Sequence, residues 1–194
     1  MKQYLFFDTE TTGLPKNYNA PYYDSNNWPR LVQLAWIIYD EEGNELKYKN
    51  AIIRPEGFTI PSEVSKIHRI TTERAQTEGY DLSTVLKVFG SHLVKSDLII
   101  AHNIAFDEAI IEAEMIRKKI PVSFRFSNKF CTMKSTTNFC KVPGNQGGYK
   151  WPKLQELHLK LFDADFEDAH DAYVDISATA KCFWELKRLG VINV

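Results

Sequence analysis

Asp8 and Glu10 close the apolar run Tyr4-Leu5-Phe6-Phe7 two residues apart. In an extended chain, residues i and i+2 project to one face, so the two carboxylates point the same way. A third acid, Asp107, follows the buried-strand pattern of residues 97–101 and lies in the first turn of a helical segment. His170 and Asp175 stand five residues apart at the start of the last long helical segment. That separation is about 500° of helical rotation, so they look in different directions but can border one pocket. Each feature alone has an ordinary structural explanation. A D-x-E at a strand end is commonly solvated, an acid in a first helical turn suits the macrodipole, Asp175 could pair with Lys181, and His170 could pack locally. Four carboxylates together offer a specific chemistry. Oxygen ligands converging on two divalent cations about 3.5–4 Å apart are what metal-assisted phosphodiester hydrolysis requires. Mg²⁺ prefers carboxylate and water to nitrogen or sulfur, and a neutral histidine beside it can take a proton from water near neutral pH.

The elements that must position these residues are legible in outline. Residues 3–8 read as a buried strand. Residues 13–30, with Gly13, Pro15, Pro21 and Pro29, read as a long loop. Strands over 31–39 and 45–54 flank the turn Glu41-Glu42-Gly43-Asn44 and form a hairpin, so the sheet is partly antiparallel. Pro61-Ser62 opens a short helix with Ser62 as N-cap. A helical period over 82–94, a strand over 97–101 and a helix over 105–117 follow. Residues 143–152, rich in Gly and Pro, form a loop, and a final helix runs from about His170 to Leu189. Strands followed by alternating helix and strand predict an α/β layered fold.

The segment Phe7-Asp8-Thr9-Glu10-Thr11-Thr12-Gly13-Leu14 resembles the first motif of the DEDDh (DnaQ-like) 3′–5′ exonucleases, the family of the proofreading subunit of bacterial DNA polymerase III. Ala101-His102-Asn103-Ile104-Ala105-Phe106-Asp107 resembles its second motif, and His170-Asp171-Ala172-Tyr173-Val174-Asp175 its third, H-x-A-x-x-D. The three occur in family order over about residues 4–185, and the histidine in the third separates the chain from the tyrosine branch. The resemblance implies a ribonuclease H-like α/β fold, with a mixed five-stranded sheet flanked by helices. It implies two Mg²⁺ (or Mn²⁺) held by Asp8, Glu10, Asp107 and Asp175, with His170 as general base. Thr11, Thr12 and Gly13 would approach the terminal sugar, Leu14 would wedge against its base, and Asn103 and Phe106 would line the nucleotide pocket. In Val64-Ser65-Lys66-Ile67-His68-Arg69-Ile70-Thr71, which is similar to the family element H-G-I-T, His68 could reach the substrate. Arg69 stands where the glycine is expected, either contacting phosphate or pointing to solvent.

Three further segments are read more plainly. The loop 17–29 carries Tyr18, Tyr22, Tyr23 and Trp28, which could stack on single-stranded bases or pack over the sheet. Trp151-Pro152-Lys153-Leu154 fixes a helix entry. Trp36 and Trp184 lie in apolar patterns and belong to the core.

A chain of 194 residues reads as a single exonuclease domain, 1–194. Apolar content of 44% and charged content of 25% are ordinary for a globular protein. No apolar run approaches the roughly 20 residues needed to span a bilayer, and the N-terminal residues lack a signal-peptide layout, so a cytoplasmic protein without membrane contact is expected. Three scattered cysteines fit reduced thiols. The net charge of −1 hides an uneven distribution: residues 117–160 carry ten basic residues against Glu156 alone, a net +9, between acidic flanks. That block is either a solvated face or a phosphate-contacting surface. The expected partner is nucleic acid, foremost single-stranded DNA 3′ ends, with a DNA polymerase or another replication or repair protein as a further candidate. An exoribonuclease is the runner-up. A non-catalytic binding module would be signalled by loss of an acidic ligand, and none is lost.

Overall fold

The computed structural model describes residues 2–121, 124, 128–145, 147–164, 166 and 172–194. Five strands, β1 (Tyr4–Thr11), β2 (Leu31–Tyr39), β3 (Glu45–Ile52), β4 (Leu98–Ala101) and β5 (Lys129–Cys131), form one sheet in the order β3-β2-β1-β4-β5. β1 pairs antiparallel with β2 and parallel with β4; β2–β3 is antiparallel and β4–β5 parallel. The sheet is therefore mixed and five-stranded, as the family resemblance implies.

β1 shows why this strand sits at the centre. Its side chains alternate between two helical layers. Leu5 and Phe7 enter a core with α3 (Leu82–Leu93) and α4 (Ile104–Arg117). Tyr4 and Phe6 enter a second core with α7 (Leu154–Phe162) and α8 (Ala172–Arg188). Phe7 meets Phe89 at 5.4 Å between ring centroids and Phe6 meets Phe183 at 5.3 Å, so each layer is locked to the strand by an aromatic pair. β2 is buried on both faces, whereas β3, the outer strand, exposes most of its residues, including Lys47 and Lys49, which blunt the edge. The hairpin turn is organised by Asp40, whose carboxylate accepts from the backbone N–H groups of Glu42 and Asn44 and from the Asn44 amide.

Small elements depart from the sequence reading. The helix α1 (Ser62–His68) begins one residue earlier than expected: Pro61 holds the N-cap position and no side chain caps it, so Ser62 is not the cap. Proline suits such a start because its missing N–H is never needed there. α2 (Thr72–Glu78) is capped by Thr71, whose side chain accepts from the Arg74 N–H. β5 has three residues and two single-turn helices follow it, α5 (Thr132–Ser135) and α6 (Thr137–Cys140). Among the described residues, no helix is long and apolar enough to cross a membrane.

Candidate active site

β1 does not stop at Phe7. Its pairing with β2 continues through Asp8↔Ala35 and Glu10↔Gln33 to Thr11↔Leu31. Both acids therefore lie inside the C-terminal half of the strand, held by its ladder, rather than where it ends. Alternation puts Asp8 and Glu10 on the Phe6 face, which α8 covers, and Thr9 on the opposite face with Phe7. Asp175 lies in the first turn of α8. One carboxylate oxygen from each of Asp8, Glu10 and Asp175 falls within 4.8 Å of the other two.

Asp107 arrives from the first turn of α4, directly after β4. Its carboxylate is buried, and its Oδ1 accepts from the Thr9 backbone N–H at 3.1 Å and the Thr9 hydroxyl at 2.7 Å. Thr9 thus ties the fourth acid to the strand that bears the first two. Burial pushes the Asp107 carboxyl up to about 7, the Thr9 bonds work against that shift, and the charge of Asp175 adds to it. All four acids line one groove of about 600 Å³, to which Asn103 and Phe106 also contribute. The groove opens at the carboxyl ends of the parallel strands β1 and β4, where ligands of open α/β sheets commonly bind.

An all-oxygen cluster of this spacing suits a hard divalent cation. Like charges this close oppose one another, and a cation among them reverses the penalty. The cluster is a candidate divalent-cation centre.

The other expected site residues divide. Asn103 and Phe106 are in the groove; Asn103 occupies a left-handed conformation (φ 76°) that turns the chain from β4 into α4. Thr11, Thr12, Gly13 and Leu14 do not line it. The Thr11 hydroxyl donates to the Gly13 carbonyl at 2.6 Å, and the Thr12 hydroxyl accepts from the Arg30 N–H at 2.9 Å, so both side chains hold the turn in shape. That turn leaves Leu14 73% exposed. His68 is 4% exposed, accepts from the Ile70 N–H at Nδ1, and is held below the usual histidine range by burial. Arg69 is exposed and caps α1 with φ 60°, the left-handed region that a glycine adopts without strain, which accounts for glycine in the similar family element. His170 lies outside the described residues.

Sequence reasoning did not assign four parts of the groove to the site: Thr9, His102, Met133 and the stretch Trp151–Gln155. His102 joins its two ends. Its Nε2 lies 3.0 Å from the Pro152 carbonyl and its Nδ1 3.0 Å from the Thr132 hydroxyl. A carbonyl can only accept, so Nε2 carries the proton and Nδ1 accepts from Thr132. Burial pushes His102 down to about 4, which keeps it neutral. His102 stood inside the second motif, but nothing in its spacing pointed to a partner fifty residues on.

The chain matches the family model described as Exonuclease over residues 5–183. The chain belongs to the exonuclease family. Among curated proteins this exonuclease is 26% identical over 178 residues to the DNA polymerase III subunit epsilon of Treponema pallidum (strain Nichols), covering 91% of this chain and 73% of that protein. It is 27% identical to the PolC-type DNA polymerase III of Mycoplasmopsis pulmonis (strain UAB CTIP), covering 94% of this chain but 11% of the polymerase. Among solved structures, E. coli exonuclease I in complex with a dA16 oligonucleotide superimposes with a TM-score of 0.74 at 19% identity, over 97% of this chain and 41% of that one. The exonuclease thus spans less than half of exonuclease I and shares its fold over that part.

Proposed function

We propose that the protein is a divalent-metal-dependent 3′–5′ exonuclease that acts on single-stranded or frayed DNA ends. The observation that carries this reading is the convergence of Asp8, Glu10 and Asp175 within 4.8 Å, with Asp107 held against the same strand by Thr9. In this reading the four carboxylates hold two Mg²⁺ or Mn²⁺. When bound, the cations would lower the pKa of a water and offset charge on the scissile phosphate. The chain's own residues do the rest. His170 takes a proton from the attacking water. The water oxygen bonds to phosphorus, the bond to the penultimate 3′-oxygen breaks, that oxygen takes a proton from solvent to become the new 3′-OH of the strand, and a nucleoside 5′-monophosphate is released. Thr11, Thr12 and Gly13 shape the turn that receives the terminal sugar, and exposed Leu14 wedges against its base. His68, buried beneath that turn, supports it; Asn103 and Phe106 form the groove wall. Asp107, whose carboxyl is pushed up by burial, would be held ionised at neutral pH by a bound cation.

The kinship to DNA polymerase III proteins supports DNA as substrate and a polymerase or repair assembly as partner. A sequence-matched RNA strand is the competing substrate, since discrimination turns on contact with the 2′-OH.

A 5′-labelled single strand with Mg²⁺ should shorten one nucleotide at a time from its 3′ end, and a circular strand should survive. Cutting of the circle would show endonuclease action and contradict the proposal, and faster shortening of RNA than of DNA would transfer the substrate. His170→Ala should slow turnover by about 10²–10⁴-fold; cleavage at the parent rate would remove His170 as the base.

A further inference from the structure

Trp151 is 58% exposed, yet it does not sit on a loose segment. The Lys150 ammonium contacts both carboxylate oxygens of Glu156 at 2.7 Å. The Pro152 carbonyl accepts from His102 at 3.0 Å, and the Lys153 N–H donates to Glu156 at 2.7 Å. The residues on both sides of the indole are therefore tied down. The ring itself lines the same groove as Asp8, Glu10 and Asp175. The Lys134 ammonium lies over the ring, 5.4 Å from its centroid.

Each part of this arrangement has a physical consequence. An indole presented on a stiff backbone loses little conformational freedom when a flat partner stacks on it. Every nucleobase has a π-face, so such a platform accepts any base. The acidic cluster repels a phosphodiester backbone before cations bind, and Lys153 in the groove lining and Lys134 over the Trp151 ring add positive charge. A bulky aromatic that served only to start α7 would gain by burial; Leu154 and Leu157 perform that task in the core.

We infer that Trp151 is a stacking platform for a nucleobase of the strand bound in the groove, with Lys134 beside it for the adjoining phosphate. This deepens the nuclease reading and rests on it. His102 is a positioning residue for the platform, because it ties the Pro152 carbonyl to the turn after β4.

The test uses the full chain with Mg²⁺ and a (dT)₈ DNA oligonucleotide whose 3′-terminal linkages are phosphorothioates, which slows cleavage. Binding is followed by anisotropy of a 5′ label and by tryptophan emission. The parent's emission should fall on binding. Trp151→Phe should still bind but lose that fall, because Trp28 and Trp36 are buried and Trp184 is packed on the core. Trp151→Ala should bind about 5- to 100-fold more weakly. Quenching by thymidine 5′-monophosphate alone would put the terminal base on Trp151; quenching by the oligonucleotide only would put an inner base there, and either result supports the platform. Parent-like affinity in Trp151→Ala, or quenching that persists in Trp151→Phe, overturns it. Cleavage of the ordinary phosphodiester strand by the parent separates the two readings. A parent that cuts strands while Trp151 is silent loses only the platform, and a parent that neither binds nor cuts loses both.

Discussion

His102 in the turn after β4 and Asp107 in the first turn of α4 both line the groove, and burial moves them in opposite directions. The carboxyl rises to about 7 and the imidazole falls to about 4. Their contributions to stability therefore oppose each other in the same window. A histidine whose pKa drops on folding costs stability as pH falls from about 6.5 towards 4, because the unfolded chain takes the proton first. A carboxyl whose pKa rises on folding does the reverse: its contribution is full at low pH and is lost as pH rises towards 7. In metal-free protein, His102→Gln should lose less stability than the parent between pH 7 and pH 4, and Asp107→Asn should lose more. Urea titrations at the two pH values check this, and identical losses in all three proteins would contradict the burial of these groups. At this scale the candidate ligands were readable in the sequence only as an ordered set, because a D-x-E pair or an acid in a first helical turn is ordinary by itself. Thr9 was not, because a threonine in a β-strand is ordinary and its bond to a residue 98 positions away has no local signature.

At the scale of elements, the start of β2 is braced against α4 by an ion network that no periodicity reveals. Glu114 of α4 is fully buried and accepts from the Arg30 guanidinium at 2.7 Å and the Leu31 N–H at 3.1 Å; Arg117 lies 3.0 Å from the same oxygen. Arg117 also donates to the carbonyls of Ser25 and Trp28. The network fastens the end of the loop 13–30 to α4 just where β2 begins. Trp28 is buried there, its indole N–H donating to the Pro21 carbonyl, while Tyr18, Tyr22 and Tyr23 stay exposed. The packing reading thus holds for the tryptophan and leaves the tyrosines at the surface. Removing one member of a buried charge network leaves its partners uncompensated, so Glu114→Ala should destabilise by about 3–5 kcal/mol. This appears as a lower urea midpoint at unchanged slope; a loss below about 1 kcal/mol would mean solvent already screens the arginines. The longer elements were legible because apolar residues recur at strand or helix spacing over many positions: α3 and α4 fall within a residue of expectation. β5 was not, because three residues carry no period and its place is set by pairing with β4.

For the whole molecule, several cations of the +9 block are paired with acids. Lys118 pairs with Glu56, Lys129 with Glu108 and Lys150 with Glu156, and Arg117 is spent on Glu114. Lys153 lines the groove and Lys134 overhangs Trp151. The sequence showed the charge but not its pairing, since the partners lie in other elements. Each phosphate contact adds about 0.7 to the slope of log affinity against log salt for a single strand. Replacing both Lys134 and Lys153 by Ala should lower that slope by about 1.4, whereas replacing Lys129 and Lys150 should leave it nearly unchanged. The opposite ranking would move the strand to a different face.

The most direct measurement is cleavage of a 5′-labelled single strand across a range of Mg²⁺ concentrations, with the parent beside Asp8→Ala. The parent should produce a ladder of single-nucleotide steps only when Mg²⁺ is present, and Asp8→Ala should produce none while melting no earlier than the parent. Mutual repulsion among the acids is relieved in that variant, so lost activity cannot be ascribed to lost folding. Cleavage by Asp8→Ala near the parent rate, or a parent ladder that persists in EDTA, would contradict a cation centre built on Asp8, Glu10, Asp107 and Asp175.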